Sequence, residues 1–224
     1  MTSKSTSSAQ RTTGRRIRGL DADQRANQRR DLLLDSALEL FARDGYANTS
    51  IESLCQAAYV GNKAFYEHFS TKEACYLELL QRNTHSLMRT VGAAIEQVSD
   101  SEEQATRHLL EVFAHALLDD PRIAAVTFGQ AGGISPTIER QRRANRREAA
   151  ALVLNFWRRY DTSPVDRRRE TLAIAVIGGL FDLVSDTLDR TDHAPTPAET
   201  DTLIIDLTDF TLITRAGIRE RANR

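Results

Sequence analysis

Apolar residues recur at spacings of three and four along most of this chain, and this pattern constrains its fold more than any other feature. In the first such segment, Leu33, Ala37, Leu40 and Phe41 mark one face of a helix. No segment alternates apolar and polar residues as a half-buried strand does. The sequence therefore predicts an all-α protein of nine or ten helices.

Glycine, proline and capping residues predict where these helices begin and end. Gly45 is expected to stop the first helix as a C-terminal cap, and Thr49 or Ser50 to cap the second. The segment S-T-K-E begins at Ser70 and predicts a capping box with Glu73 before a long fourth helix. That fourth helix is predicted to end near residue 98, and the later breaks predict helices over residues 101–118, 121–130, 136–160, 166–190 and 197–218.

The charge of the chain is unevenly distributed, although the net charge is only −1. Residues 1–30 hold eight basic and two acidic side chains, a local charge of +6 (8 − 2), so the remainder sums to −7. We interpret residues 1–22, which are rich in Ser, Thr and Arg, as a flexible basic arm. A basic arm on an acidic body indicates a nucleic acid or an anionic surface as partner, and a solubilising tail is the alternative.

Cysteine content and hydropathy predict the compartment. Cys55 and Cys75 are the two cysteines, and their apolar helical positions predict buried free thiols in a reducing environment. The N-terminus is polar and does not resemble a secretory signal. The most apolar run, residues 172–184, is too short to span a bilayer and contains Asp182. We therefore expect a soluble, cytoplasmic protein with no membrane partner.

Residues 50–69 predict two short helices joined by a tight turn, supported by the helix that precedes them. This is the arrangement of a helix-turn-helix that reads DNA. The second helix must be seated rigidly, because hydrogen bonds to base edges are lost with small displacements. Val60, Phe65 and Phe69 are expected to seat it against the apolar faces of the first two helices.

The polar residues of this second helix are the candidates for DNA contact. Asn62 can pair with adenine through two hydrogen bonds, and Lys63 can reach the acceptors of guanine. Hydroxyl and basic groups at both ends of the motif are expected to hold phosphates. The predicted DNA-binding residues are Thr49, Ser50, Gly61, Asn62, Lys63, Ala64, Tyr66, His68 and Lys72.

Within residues 31–80, the segments A-L-E-L-F-A-R-D-G-Y-A-N-T-S and V-G-N-K-A-F-Y-E-H-F-S-T-K-E resemble the TetR (tetracycline-repressor-like) family of transcriptional regulators. The chain departs from the family's pattern at Tyr59, where a small residue, often glycine, is usual. The resemblance implies a homodimeric repressor that binds a palindromic operator and responds to a small molecule in its C-terminal domain. The domains this implies are a basic arm (1–22), a three-helix helix-turn-helix DNA-binding domain (23–70), and a larger helical domain for ligand binding and dimerisation (71–220).

The C-terminal helices supply candidates for the dimer interface and for the ligand pocket. The apolar stripes of the last two helices are expected to form a four-helix bundle across a dimer, with an internal core as the alternative. The predicted interface residues are Leu172, Val176, Gly179, Leu180, Leu183, Leu203, Leu207 and Phe210. The predicted pocket residues, for which ordinary core packing is the alternative, are Met88, Phe113, Leu117, Phe128, Phe156 and Trp157.

Two other classes of function are less well supported by the sequence. No HExxH, CxxC, GxSxG or glycine-rich phosphate loop is present, and Glu111 with His115 would supply only two metal ligands. We therefore expect no catalytic residues, no metal and no cofactor. A helical interaction protein that does not bind DNA is the other alternative. The charged run of residues 139–148 is interpreted as a solvated helix face, with a second nucleic-acid patch as its alternative.

Overall fold

The computed structural model describes residues 22–97, 99–128, 135–161, 166–190 and 194–222, and these ranges contain nine α-helices and no strand. The all-α prediction is confirmed. In chain order the helices are α1 (Ala22–Asn48), α2 (Ile51–Ala57), α3 (Asn62–His68), α4 (Lys72–Ile95), α5 (Glu102–Leu118), α6 (Pro121–Phe128), α7 (Pro136–Arg158), α8 (Arg167–Arg190) and α9 (Pro197–Ala222).

Local capping explains where the first helices begin and end. Gly45 kinks α1 with φ 77° and ψ 165°, a conformation that favours glycine. The predicted stop at Gly45 is corrected, because α1 continues beyond it to Asn48. Ser50 caps α2 and forms a reciprocal capping box with Ser53. The capping box predicted at Ser70 is wrong by one position, because Thr71 accepts the N–H of Ala74 at 3.0 Å.

Glu73, the predicted reciprocal partner of that capping box, instead accepts a hydrogen bond from Ser135. The Ser135 hydroxyl lies 2.5 Å from the Glu73 carboxylate and also caps the start of α7. A contact between residues 62 positions apart therefore replaces the local one that the sequence suggests. The contact ties the first turn of α4 to the first turn of α7.

The N-terminal core is built from α1, α2 and α3 but extends beyond them. Cys75, Tyr76 and Leu79 of α4 are buried in the same cluster, and Val126 of α6 and Ile138 of α7 complete it. The N-terminal core therefore extends past residue 70, and the domain boundary there stays a prediction. Elements of the C-terminal half pack directly on the helix-turn-helix.

Both cysteines lie in this N-terminal core as free, buried thiols, as predicted. Cys75 is fully enclosed, and burial raises the pKa of its thiol to about 12. Burial also raises the pKa of the Cys55 thiol. Neither group is therefore a reactive thiolate near neutral pH.

The C-terminal core is formed mainly by α5, α7, α8 and α9. Within the described ranges, α8 is the one helix that is long and apolar enough to cross a bilayer by length and composition. The helix extends beyond residues 172–184, the apolar run that we judged too short to span a bilayer. Core helices of soluble proteins meet the same criterion. Ala173, Val176, Leu180 and Val184 of α8 pack inside this core.

A buried ion cluster closes the far end of the C-terminal core. Arg215 of α9 is only 3% exposed along its side chain and pairs with Glu102 at 2.9 Å and with Asp161 at 3.2 Å. Arg169 of α8 pairs with the same Asp161 at 3.1 Å. The Arg215 guanidinium also lies 5.1 Å from the centre of the Trp157 ring. With Glu102 of α5 and Trp157 of α7, the cluster joins four helices. Each arginine pairs with a carboxylate because a buried charge without a partner is costly.

Candidate nucleic-acid interface

The α3 helix is seated as the sequence predicts. Phe65 has no exposed surface and Phe69 is 2% exposed, with their ring centres 5.5 Å apart. Both belong to the N-terminal core together with Leu54 of α2, and Val60 packs against its edge. Two aromatic anchors one turn apart leave this short helix little freedom to tilt.

The opposite face of α3 presents polar and aromatic groups to solvent. Asn62 and Lys63 are exposed in its first turn, directly after the exposed Gly61 that caps it. Tyr66 is 59% exposed and follows one turn later, while Ala64 is half-buried. A rigid base beneath a row of donors and acceptors is the arrangement needed to read base edges in a major groove.

The turn between α2 and α3 holds a strained tyrosine. The N–H of Tyr59 donates to the Gln56 carbonyl at 3.2 Å, and that of Val60 donates to the Cys55 carbonyl at 3.0 Å. This pair of bonds is a Schellman motif, whose central residue is left-handed and is usually glycine. Tyr59 occupies that position with φ 54° and is 97% exposed. Its ring contributes nothing to the core that could offset the strain.

Thr49 does not face solvent as a phosphate ligand would. It is 2% exposed, and its hydroxyl lies 2.8 Å from the Gly45 carbonyl and 3.3 Å from the Leu40 carbonyl, both of which it can donate to. Both carbonyls belong to α1, which is kinked at Gly45, so the hydroxyl holds the end of this helix in place. The predicted phosphate role of Thr49 is therefore corrected to a structural one, and Ser50 is the exposed hydroxyl at this end.

Lys72 is also engaged inside the protein. Its ammonium group donates to the carbonyls of Tyr46 and Thr49, both at 2.7 Å, and lies 4.3 Å from the centre of the Tyr46 ring. Partial burial lowers the pKa of this lysine. The ammonium therefore closes the turn between α1 and α2, and its contact with a phosphate stays a prediction.

His68 is half-buried at the end of α3. Its Nε2 atom is enclosed and has no hydrogen-bond partner among the described residues. A phosphate contact through that atom would require the ring to turn. The basic arm predicted at residues 1–22 lies outside the described residues except for Ala22.

A cavity of about 130 Å³ lies among α4 to α9 in the C-terminal half. Of the six predicted pocket residues, Leu117 does not line it and is buried in the surrounding core. Those that do line it are Met88, Phe113, Phe128, Phe156 and Trp157. Sequence reasoning missed the polar lining group of Thr84, Thr127, Arg142, Asn145 and Arg146.

The charged run of residues 139–148 is therefore only partly the solvated face that we expected. Arg143 and Arg147 are exposed and do not line the cavity, whereas Arg142 and Asn145 turn inward to it. Both kinds of residue alternate along one helix. Contacts of α7 with Tyr76 of α4 and Val126 of α6 distinguish them.

Four predicted dimer-interface residues lie inside the chain's own core. These are Val176, Leu180, Leu203 and Leu207, and the prediction is corrected for them because a partner could not reach them. Gly179 and Phe210 contact each other within the chain, since a Cβ on Gly179 would meet the Phe210 ring at 2.6 Å. Leu172 and Leu183 are half-buried.

The exposed apolar surface of α8 and α9 is carried by residues outside the predicted interface list. Ile174 of α8 is 39% exposed, and Ile205 and Ile213 of α9 are 48% and 73% exposed. They stand on the outer sides of the two helices whose inner sides form the core.

The described residues bring no three His, Cys, Asp or Glu side chains together as a metal site would need. The pair suggested by Glu111 and His115 does not form. His115 contacts Asp119 at 3.0 Å instead, and Glu111 lies 3.9 Å from His108.

Comparison with known proteins agrees with this geometry. The family model described as "Bacterial regulatory proteins, tetR family" matches residues 33–79. The chain is 33% identical over 87 residues to the HTH-type transcriptional activator FasR of Mycolicibacterium smegmatis, covering 39% of each protein. It is 31% identical over 85 residues to the HTH-type transcriptional repressor DhaR of Mycobacterium sp. strain GP1, covering 38% of this chain and 41% of that protein. These matches span about two fifths of each relative.

The fold of the whole chain also has solved counterparts. A crystal structure of the transcriptional regulator FadR from Bacillus subtilis in complex with stearoyl-CoA aligns with a TM-score of 0.65. The alignment covers 80% of this chain and 97% of that one at 14% identity. At this identity the likeness concerns the fold alone, and it extends well beyond the N-terminal helices.

Proposed function

Because residues 33–79 place this chain in the TetR family of bacterial regulatory proteins, we propose that it is a ligand-responsive transcriptional repressor. It binds a palindromic operator in double-stranded DNA as a homodimer. A small molecule in the C-terminal cavity changes its affinity for that operator. The proposal places the protein in the cytoplasm, where it meets the DNA.

The observation that carries this proposal is the seating of α3. Phe65 and Phe69 are buried, while Asn62, Lys63 and Tyr66 on the same short helix face solvent. An interaction helix that did not read DNA would have no need for polar donors above so rigid a base. Tyr66 and Ser50 stand at the two edges, where phosphates flank a groove.

Dimerisation follows from the limited reach of one such helix. A single α3 reads only a few base pairs, and a two-fold partner supplies a second half-site about one helical turn, roughly 34 Å, away. The exposed isoleucines Ile174, Ile205 and Ile213 offer an apolar surface on α8 and α9 for that partner. The half-buried Leu172 and Leu183 lie on the same helix as Ile174.

The α6 helix supports a link between cavity and DNA reader. Val126 belongs to the N-terminal core, and its neighbours Thr127 and Phe128 line the cavity. A ligand that displaces Phe128 therefore acts on a helix that packs against the seat of α3. The bound stearoyl-CoA of the B. subtilis FadR supports the capacity of this fold to hold a small ligand.

We propose repression rather than activation on a physical argument. A dimer that occupies an operator blocks other proteins from the same DNA without any further contact. Activation needs an additional surface for the transcription machinery. The relatives include both an activator and a repressor, so similarity alone favours neither.

The test is fluorescence anisotropy of labelled DNA from the region upstream of the chain's own coding sequence. We expect a specific complex at moderate salt that survives excess nonspecific DNA, and two chains per operator. Binding that is equal for operator and scrambled DNA of the same composition would contradict the proposal. Parallel titrations at several salt concentrations separate the phosphate contribution from the base contribution.

A further inference from the structure

The polar groups of the C-terminal cavity are concentrated near one end. Arg142, Asn145 and Arg146 lie within little more than one turn of α7, and Asn145 donates to the Thr84 hydroxyl of α4 at 2.9 Å. Thr127 of α6 lines the same region. The other lining residues on α4 and α7 after these positions are apolar, and they include Ile95 and Trp157.

The residues that line the cavity follow two parallel helices. Gln81 contacts Gln141 and Glu96 contacts Arg159, so α4 and α7 run side by side in the same direction. With a rise of about 1.5 Å per residue, the distance along α7 from Arg142 to Trp157 is roughly 22 Å. The lining therefore leads from a polar end next to the DNA-binding core to an apolar end next to Trp157.

Threonine hydroxyl groups at the two ends of the cavity differ in whether they have a hydrogen-bond partner. The Thr106 and Thr211 hydroxyls donate to carbonyls of their own helices, at 2.7 Å and 2.8 Å. The Thr127 hydroxyl is enclosed and has no partner among the described residues. Thr127 is only 9% exposed, so its oxygen is a buried polar group that a ligand in the cavity can satisfy.

The charge of the polar end is positive. Arg142 and Arg146 line the cavity, and no Asp or Glu is among the described lining residues. The Arg146 guanidinium lies 6.0 Å from the centre of the Phe181 ring, which also lines the cavity. An anion entering this end therefore meets two guanidinium groups and no opposing carboxylate in the lining.

We propose that this cavity binds an amphipathic anion, a medium-chain carboxylate such as laurate. Arg142 and Arg146 hold the carboxylate and Thr127 donates to it, while the hydrocarbon chain lies between α4 and α7 and extends toward Trp157. The inference rests on the proposed function only where it takes this cavity as the effector site.

Arg142 also connects the proposed carboxylate site to the DNA-binding core. Its guanidinium donates to the Tyr76 hydroxyl and to the Val126 carbonyl, both at 3.2 Å. Tyr76 is 2% exposed and packs edge-on against Phe41 and Tyr46 of the N-terminal core. A carboxylate accepts stronger hydrogen bonds than these neutral oxygens, so it draws the guanidinium toward the cavity. Arg142 is thus both a ligand contact and a positioning residue for Tyr76.

The binding test uses laurate, dodecanol and dodecylammonium below their micelle concentrations, measured by calorimetry and by the fluorescence of Trp157, the only tryptophan of the chain. We expect laurate to bind at least about tenfold more tightly than either analogue, as befits loss of a charge-assisted hydrogen bond. Arg142→Gln and Arg146→Gln should each weaken laurate about tenfold and leave dodecanol unchanged. Arg147→Gln removes the same charge from an exposed position outside the cavity and should change nothing.

Equal affinity for laurate and dodecanol, or a loss with Arg147→Gln equal to that with Arg142→Gln, overturns the inference. Arg146→Gln keeps the test valid if Arg142→Gln fails to fold, because Arg146 is exposed. Laurate binding without an effect on operator affinity supports the ligand class and contradicts the regulatory part of the proposed function. Operator binding without laurate binding does the reverse.

Discussion

The Lys72 ammonium donates to the Thr49 carbonyl at 2.7 Å, across 23 positions of sequence. The same group donates to the Tyr46 carbonyl at 2.7 Å, so one side chain from the first turn of α4 closes the turn that leads into α2. Two residues expected to hold phosphates thus hold each other. The helix-turn-helix owes part of its rigidity to this contact.

Replacing Lys72 by Met should therefore reduce stability rather than DNA specificity. We expect the free energy of unfolding to fall by about 1–3 kcal/mol, since hydrogen bonds from a charged donor are lost and two carbonyls remain unsatisfied. Lys63→Met is the matched control, because Lys63 is exposed on α3. It should leave thermal stability unchanged and weaken operator binding. Chemical denaturation and anisotropy on both variants check this, and the reverse pattern would show that Lys72 is the DNA contact.

The strain at Tyr59 gives a second prediction. A left-handed residue with a Cβ atom costs roughly 1–2 kcal/mol more than glycine, which adopts this conformation freely. Tyr59→Gly should therefore raise the free energy of unfolding by about 1 kcal/mol. Tyr59→Ala removes the ring but keeps the Cβ atom, so it should give no comparable gain.

Operator affinity of the same two variants tests whether the exposed ring contacts DNA. An equal loss of affinity in Tyr59→Gly and Tyr59→Ala would assign the ring to DNA. Thermal denaturation supplies the stability half of the comparison. If Tyr59→Ala stabilises as much as Tyr59→Gly, the turn is not strained by the Cβ atom.

Base reading and phosphate binding can be separated on α3. Asn62→Ala should change the preferred operator sequence, with a loss of about 1–3 kcal/mol at the base pair it contacts. Tyr66→Phe removes only a hydroxyl from a half-exposed ring and should weaken binding by a similar factor on every sequence. Competition against operators mutated one base pair at a time distinguishes the two. A uniform loss for Asn62→Ala would remove it from the set of base-reading residues.

Sequence reasoning succeeded where packing depends on neighbours along the helix. Phe65 and Phe69 are one turn apart, so their common burial follows from helix geometry alone. It missed the internal hydrogen bonds of Thr49 and Lys72, because a sequence shows a donor but not an acceptor brought close by folding. At Glu73 a plausible local partner was displaced by Ser135, 62 positions away.

The cavity illustrates the same distinction. Apolar lining residues such as Phe113 and Trp157 could be predicted because large side chains between helices must face one another. Arg142 could not, since the run that contains it has arginines on every side of α7. Which of them turns inward is decided by Tyr76 and Val126, which lie on other helices.

The dimer proposed for this chain makes a further prediction about α9. Ile213 is 73% exposed and Ile205 is 48% exposed, and a partner chain would bury this apolar surface. Ile213→Glu introduces a charge there and should shift the protein from dimer to monomer in sedimentation equilibrium, with unchanged helix content. Leu32→Glu is the matched control, because Leu32 is 44% exposed on α1 and outside the proposed interface. The monomeric variant should also lose operator affinity steeply, since two half-sites can no longer be bound together. A dimer that persists in both Ile205→Glu and Ile213→Glu would place the interface elsewhere.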